Sequence, residues 1–311
     1  MSVRLEAFSH EALLYESPRD LIERTVPFIR EGLAAGEPVM VAMQAPKLEA
    51  LREALGDDSR HVELVDMGEL GGNPARIIPA WNEFLRGRVA GRPARGIGEP
   101  IWHGRGADEL VECQLHESLL NVAFAGARGF RLLCPYDAVA LDPAVLREAR
   151  CSHPKLYDGA ACVASAEYRG LAEVAAPFDV PLPPPTTPAE AMSFDGRSYR
   201  DVRAFVARAA AAAGLDDVRS DDLLLAVHEI ATNSVRHGGG TGVLRAWRHE
   251  HAVFCEIRDR GRIRDPLVGR RVPHGMQLGG RGIWLANQLC DLVQIRSLAS
   301  GTVVRLRMNV G

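Results

Sequence analysis

The chain has 311 residues, of which 47% are hydrophobic and 25% charged, and its formal net charge is −3. This length accommodates two domains that each bury a core, and the composition is that of an ordinary globular protein. The near-neutral balance gives no electrostatic case for nucleic acid or an anionic membrane as a partner. No apolar run approaches the roughly 20 residues that span a bilayer. Because the first residues contain no signal-peptide core, we expect a cytoplasmic protein.

Residues 1–176 alternate short apolar strands with helices of similar length, which predicts a parallel α/β sheet covered on both faces. Ser17 and Pro18 mark the start of the first helix. The predicted strands are 11–15, 38–43, 62–65 and 129–134, and the predicted helices are 17–36, 46–55, 77–86 and 111–125.

This half contains no Gly-x-x-x-x-Gly-Lys phosphate loop, so it is no obvious nucleotidase. Five of its segments resemble the MEDS family of sensory domains, first named in methanogen and methylotroph DcmR proteins. The resemblance implies a RecA-like core that senses small ligands and has lost its own ATP chemistry. The segments are 10–15 (HEALLY), 98–102 (GEPIW), 117–121 (ESLLN), 134–137 (CPYD) and 151–154 (CSHP).

Polar residues in these segments fall at predicted strand ends or loop starts, where α/β sheets place ligand sites. They predict a pocket for a small molecule or, alternatively, for a metal, although no pair has firm metal-ligand spacing. The two histidines among them are equally consistent with buried residues that tie loops together. The candidate residues are His10, Glu99, Glu117, Tyr136, Cys151 and His153.

The six cysteines, at 113, 134, 151, 162, 255 and 290, also lack metal-type pairs. Their apolar surroundings predict free, buried thiols in a reducing compartment.

Residues 177–189 form the predicted boundary between the two domains. Their proline density opposes helix and sheet and favours extended, semi-rigid polyproline geometry. Such a spacer suits the coupling of a sensor to an output domain, and it is equally consistent with a passive tether.

Residues 190–311 predict a second α/β domain, a sandwich of helices over an antiparallel-rich sheet. The predicted strands are 191–194, 242–248, 252–258, 291–298 and 302–308, and the predicted helices are 199–213, 218–237 and 283–290.

The helix at 218–237 carries the strongest chemical signal of the chain. Glu229, Asn233 and His237 recur every four residues and therefore stack on the face opposite the apolar one, and glycines 238–240 then end the helix. A carboxylate one turn from a carboxamide can orient a nucleophile and ligate magnesium. The same spacing also fits an ordinary solvated helix face.

Three further segments follow this helix: 259–261 (DRG) after a strand, 279–282 (GGRG) before a helix, and Gly301 with Thr302 before the last strand. In this order they resemble the GHKL ATPase domain, which has the Bergerat fold, and most closely its anti-sigma-factor serine kinase branch. The resemblance covers roughly residues 190–310. It implies binding of ATP and Mg²⁺.

The resemblance also implies roles for the helix residues and the base pocket. Glu229 matches the catalytic acid/base, Asn233 the magnesium ligand, and His237 the histidine that follows the asparagine in the anti-sigma branch. Asp259 matches the acceptor for the adenine amino group, and Gly261 allows close approach of the base.

The remaining implied roles concern the phosphates and the lid. Gly280 and Gly282 match the glycine box whose backbone amides meet the phosphates. Thr302 matches the hydroxyl that closes the base pocket. Residues 262–278 match the mobile lid.

The resemblance implies a sensor domain that controls an ATP-dependent serine/threonine protein kinase. Its partners would be an anti-sigma-factor antagonist of the STAS type, a sigma factor and a small ligand, with homodimerisation left open. One alternative is a non-catalytic, ATP-dependent partner-binding protein. Another is a histidine-kinase-like protein whose acceptor lies on another chain, since His228 sits inside the ATPase helix and no dimerising hairpin precedes it.

Overall fold

A computed structural model of the chain describes residues 5–87, 92–158, 161–273 and 280–310. Contacts within the chain divide it into two compact units, Met1–Ala175 and Ala176–Gly311. Part of the predicted linker lies against the second unit, because the Arg305 guanidinium donates to the Pro183 carbonyl over 2.7 Å and the Thr187 hydroxyl donates to the Arg248 carbonyl, also over 2.7 Å.

The first unit is an open, seven-stranded sheet in the order β3-β2-β4-β5-β1-β6-β7, in which the β6–β7 pair is antiparallel and the other pairs are parallel. Its strands are β1 (Ser9–Tyr15), β2 (Val39–Met43), β3 (Val62–Asp66), β4 (Ala94–Gly98), β5 (Phe130–Asp137), β6 (Lys155–Tyr157) and β7 (Cys162–Ala164). Its helices are α1 (Pro18–Ala34), α2 (Ala45–Leu55), α3 (Met67–Leu70), α4 (Ile77–Gly87), α5 (Ala107–Ala123) and α6 (Pro143–Ser152).

Local sequence explains how these elements begin. The Ser17 side chain caps α1 by accepting from the Asp20 backbone amide, with Pro18 in the first turn. Every residue of β2 is buried, as expected of a central parallel strand.

β4 was missed from the sequence because Arg95 interrupts its apolar run. Arg95 is 8% exposed, and its guanidinium pairs with Glu37 over 2.6 Å and with Glu31 over 2.9 Å. Gly96 leaves room for the Trp81 ring, since a Cβ there would lie 2.7 Å from its Cζ3. A charged residue and glycines therefore occupy a central strand.

The second unit is a five-stranded antiparallel sheet in the order β11-β12-β10-β9-β8, with helices packed against it. Its strands are β8 (Glu190–Asp195), β9 (Thr241–His249), β10 (Ala252–Asp259), β11 (Leu292–Leu298) and β12 (Gly301–Asn309), and its helices are α7 (Tyr199–Ala213), α8 (Asp217–His237) and α9 (Arg281–Leu289). One hydrophobic core joins the helices to the sheet.

The predicted fold class is confirmed: a RecA-like parallel α/β unit precedes a Bergerat-type α/β sandwich. None of the helices in the described ranges combines the length and apolar character that crossing a bilayer requires.

Candidate functional site

The polar face of α8 lies at one end of the second unit. Leu223, Val227 and Ile230 are buried in the core, so the opposite face is turned outward. Glu229 and Asn233 are half-buried there, and His237 is exposed at the last helical residue. The four-residue spacing therefore produces one continuous polar row, as expected.

Asp259, at the end of β10, ties the end of α8 to the sheet. One oxygen of its carboxylate accepts from the Ser234 hydroxyl over 2.6 Å, and the other accepts from the Gly261 amide over 2.7 Å. The orientation of this half-buried carboxylate is thus fixed by two independent donors.

Two glycines allow the chain to pass close to this carboxylate. A Cβ on Gly238 would lie 2.4 Å from the Asp259 Cγ, and a Cβ on Gly261 would lie 2.8 Å from the His237 carbonyl oxygen. Neither position has room for a side chain, so packing requires both glycines. We call this junction of the end of α8 with the end of β10, around Asp259, the corner of the second unit.

The start of α9 abuts the polar row of α8. Gly280 is the N-cap of α9 with φ 85°, a left-handed conformation that favours glycine. A Cβ on Gly282 would lie 2.7 Å from the Glu229 Oε2 and 3.1 Å from the Asn233 Nδ2. The free backbone amides of a helix start therefore lie beside a carboxylate and a carboxamide.

Thr302 completes this corner from β12, where it pairs with Asp259 across the sheet. Its hydroxyl donates to the Gly261 carbonyl over 2.9 Å. The threonine is buried, so it fixes the loop after β10.

The first part of the segment expected to be a mobile lid is packed onto the unit. Leu267 is buried, the Ile263 amide donates to the Ser297 hydroxyl over 2.9 Å, and the Asn287 side chain donates to the Gly269 carbonyl over 3.0 Å. The remainder of that segment and Gly279, together residues 274–279, lie outside the described residues.

This corner has the groups needed for phosphate chemistry. Backbone amides at a helix start attract anions, a carboxamide oxygen can ligate a hard cation, and a half-buried carboxylate can accept a proton. Asp259 adds a fixed hydrogen-bond acceptor from β10, beside Ser234 and Gly238 at the end of α8.

Five of the six polar residues predicted to ring a pocket in the first unit divide into two groups, and Cys151 belongs to neither. His10, Glu117 and His153 lie together with Cys134, and the ring of Tyr136 packs edge-on against His153 at 5.6 Å between centroids. The expected placement at strand ends or loop starts was wrong for Glu117, which lies in the middle of α5, and Cys151 lies in the last turn of α6.

Glu99 belongs to a different group. Its carboxylate accepts from the Tyr15 hydroxyl over 2.8 Å and from the Lys47 ammonium over 2.6 Å. Burial raises the pKa of Glu99, although Lys47 opposes the rise. Tyr15 ends β1 and Glu99 directly follows β4, so this group lies at the carboxyl edge of the parallel sheet, where such folds place ligands.

The group formed by His10, Glu117, Cys134 and His153 is completely buried, and this burial shifts the pKa values of its members. Burial, followed by the proximity of His153, lowers the pKa of His10 to about 4. Burial opposes ionisation of Glu117, but the adjacent His10 and His153 rings prevail and hold its pKa well below the ordinary range. Burial, reinforced by Glu117, raises the pKa of the Cys134 thiol well above its usual value.

Sequence reasoning missed Cys134, Tyr15 and Lys47 as members of these groups. Cys134 and Tyr15 lay inside the segments that carry the MEDS resemblance. The alternation of side chains along a strand was the sequence signal that could have placed them in the interior. The expectation of six buried cysteines was wrong for Cys162, which is exposed, and Cys151 is half-buried.

The two units match two families of known domains. Residues 9–154 match the MEDS model, described as the methanogen/methylotroph, DcmR sensory domain. Residues 192–308 match the model of the histidine kinase-like ATPase domain. The chain thus joins a sensory α/β domain to an ATPase-type sandwich: its first unit is a MEDS domain and its second a histidine kinase-like ATPase domain.

A solved structure is also similar to this chain. It contains the RsbU and RsbW domains of Rv1364c from Mycobacterium tuberculosis, with 24% identity and a TM-score of 0.31. The similarity covers 40% of this chain and 32% of that one, so it extends over about a third of the other chain. No curated protein matches the chain.

The close packing at the corner predicts unequal effects of adding a methyl group. Gly261→Ala would press on backbone atoms of the His237–Gly238 turn, and we expect it to lower the stability of the second unit by about 1–3 kcal/mol. Gly282→Ala would press mainly on the end of the Glu229 side chain, which can rotate away, so its cost should be smaller. Hydrogen exchange of α8 and β10 peptides in the full-length protein measures the loss of stability in each variant. Equal protection in the two variants would contradict this packing.

Proposed function

We propose that this protein is a signalling regulator in which the MEDS domain senses a small ligand and controls an ATP- and Mg²⁺-dependent serine/threonine protein kinase of the anti-sigma type. The observation that carries the proposal is the contact of Gly282, at the start of α9, with Glu229 and Asn233 on α8. This contact brings anion-binding amides, a cation ligand and a base into one place.

The proposed roles follow from chemistry and position. The amides at the start of α9 hold the phosphates, and the Asn233 oxygen ligates Mg²⁺, which neutralises them. Glu229 accepts the proton of the attacking hydroxyl.

Asp259 is proposed to accept a hydrogen bond from the adenine amino group. Each of its oxygens already accepts one bond, from Ser234 or from Gly261, and each keeps a further lone pair. The two protein donors would hold the carboxylate in place before the base arrives, and His237 would border the same opening from the exposed end of α8.

A hydroxyl on a separate protein is the acceptor that fits this chain best. His228 stands beside Glu229 on the helix that forms the site itself, with its ring 5.3 Å from that of Tyr199. Between Ala176 and Glu190 the described chain contains one turn of 3-10 helix, Ala176–Phe178, where a dimerising hairpin would stand. We therefore propose a STAS-type antagonist as the substrate, with a sigma factor as a second binding partner.

Labelled ATP tests this function directly. The full-length protein is incubated with γ-labelled ATP, Mg²⁺ and a STAS-domain antagonist, and the label is then exposed to acid. Acid-stable label on the antagonist is the expected result, because hydroxyl phosphates survive acid. Acid-labile label would indicate histidine phosphorylation, and ATP-dependent complex formation without label would indicate pure binding; both outcomes contradict a serine/threonine kinase.

Asn233→Ala should abolish the Mg²⁺-dependent part of ATP affinity, because the proposed metal ligand is removed while the buried face of α8 is untouched. Titration calorimetry of ATP with and without Mg²⁺ measures this, and Asn309→Ala, an exposed asparagine of the same unit, is the matched control. Wild-type affinity in the Asn233 variant would refute the assignment.

Asp259→Ala should weaken ATP and ADP equally, because both nucleotides share the adenine amino group. The lost bond to a charged acceptor corresponds to about a tenfold to hundredfold loss of affinity. The same calorimetry compares the two nucleotides, and a loss confined to one of them would place Asp259 away from the base.

Glu229→Ala should separate binding from chemistry. Loss of a general base typically reduces the rate on the order of a hundredfold to ten-thousandfold, whereas ATP affinity should stay nearly unchanged. Single-turnover transfer from labelled ATP measures the rate, with the neighbouring His228→Ala as the control. Normal transfer by the Glu229 variant, or its loss in the His228 variant, would overturn these roles.

A further inference from the structure

Four potential metal ligands converge in the interior of the MEDS domain. They are His10, Glu117, Cys134 and His153, and their ligand atoms all lie within 4.8 Å of one another. The Glu117 Oε2 is 3.3 Å from the His10 Nε2 and 3.1 Å from the His153 Nε2, and the Cys134 Sγ is 3.4 Å from the His10 Nε2. All four residues are at most 1% exposed.

The fold presents these ligands from four separate elements. β1 and β5 pair in parallel with Ala12 opposite Cys134, and because side chains alternate along a strand, His10 and Cys134 face the same side of the sheet. Glu117 comes from the middle of α5, and His153 caps the end of α6. The group is therefore built by tertiary structure and does not depend on a flexible loop.

Hydrogen bonds at the other ring nitrogen set the tautomer of both histidines. The His153 Nδ1 lies 2.8 Å from the Ala149 carbonyl, which can only accept. The His10 Nδ1 lies 3.1 Å from the Asn121 Oδ1, and the Asn121 Nδ2 donates to the Ser152 carbonyl over 2.7 Å, which fixes the orientation of the amide. Both Nδ1 atoms must therefore carry the proton, which leaves a lone pair on each Nε2 of the neutral rings.

The centre of the group consequently contains acceptors that face one another. Neither Glu117 oxygen nor the His153 Nε2 has a hydrogen-bond donor among the described residues, although all three atoms are buried. Buried acceptors without a donor cost free energy, and several that converge on one point call for a positive charge between them.

We propose that His10, Glu117, Cys134 and His153 bind a single divalent ion of the zinc class. Tetrahedral zinc with ordinary bond lengths places its ligand atoms about 3.3–3.6 Å apart, and the three separations above agree with this to within a few tenths of an ångström. Two imidazoles, a carboxylate and a sulfur favour zinc over magnesium or calcium, which prefer oxygen ligands alone.

The surroundings match those of a bound metal. Each histidine donates its remaining N–H to an amide or carbonyl oxygen, the arrangement that orients imidazole ligands on zinc. A bound cation would also reverse the effect of burial on Cys134, because a coordinating thiol is deprotonated. Four buried protein ligands leave no open position, so the ion would bind as part of the folded domain.

Metal analysis of the full-length protein tests this inference independently of the kinase. We expect one equivalent of zinc per chain, a melting temperature that falls when a chelator removes it, and a thiolate-to-metal charge-transfer band after replacement by Co²⁺. Wild-type protein that binds neither ion, and whose melting temperature ignores chelator and zinc alike, would overturn the proposal in favour of a proton shared between the histidines and Glu117.

Variants then locate the ion. Cys134→Ala should lose the cobalt charge-transfer band, whereas Cys113→Ala, a matched buried thiol on α5, should keep it. Asn121→Ala removes the orienting bond to His10, together with the Asn121 bonds to the Ser152 and Ser118 carbonyls, and should weaken zinc binding about tenfold to a hundredfold. An unchanged band in the Cys134 variant, or its loss in the Cys113 variant, would exclude this site.

Discussion

The Asp259 carboxylate joins the two halves of the ATPase-type corner, and the rest of that corner depends on it. By accepting from Ser234 on α8 and from Gly261 after β10, it fixes the end of the long helix against the end of the central strand. Gly238 and Gly261 have no side chain because the carboxylate and the turn occupy that space. Once this junction is set, the start of α9 can pack on Glu229 and Asn233.

The same close packing explains why the proposed catalytic groups lie on rigid elements. Glu229 and Asn233 sit on a helix whose other face is buried in the core, so their positions follow from the hydrophobic packing of α8. Gly282 meets them from a second helix. A site built in this way needs little rearrangement to accept phosphates.

Sequence predicted the second unit better than the first for a physical reason. The residues of the α8 row lie within one helix, where a spacing of four fixes their relation directly. The five strands and three α-helices described in this unit lie within a few residues of their expected bounds. In the first unit, the members of the buried group are up to 143 residues apart, from His10 to His153, and meet only through sheet register and helix packing. Spacing could not reveal that Cys134 joins this group or that Glu99 pairs instead with Tyr15 and Lys47. β4 was hidden for a related reason, because the partners that allow Arg95 to be buried, Glu31, Glu37 and the Phe28 carbonyl, are distant in sequence.

A crystal structure of the full-length protein with a non-hydrolysable ATP analogue and Mg²⁺ is the most direct test of the proposed nucleotide site. We expect the adenine amino group on Asp259, the metal on the Asn233 oxygen, and the terminal phosphates at the start of α9 with the last one facing Glu229. A nucleotide bound elsewhere, or bound at this corner with its phosphates turned away from Glu229 and Asn233, would contradict it.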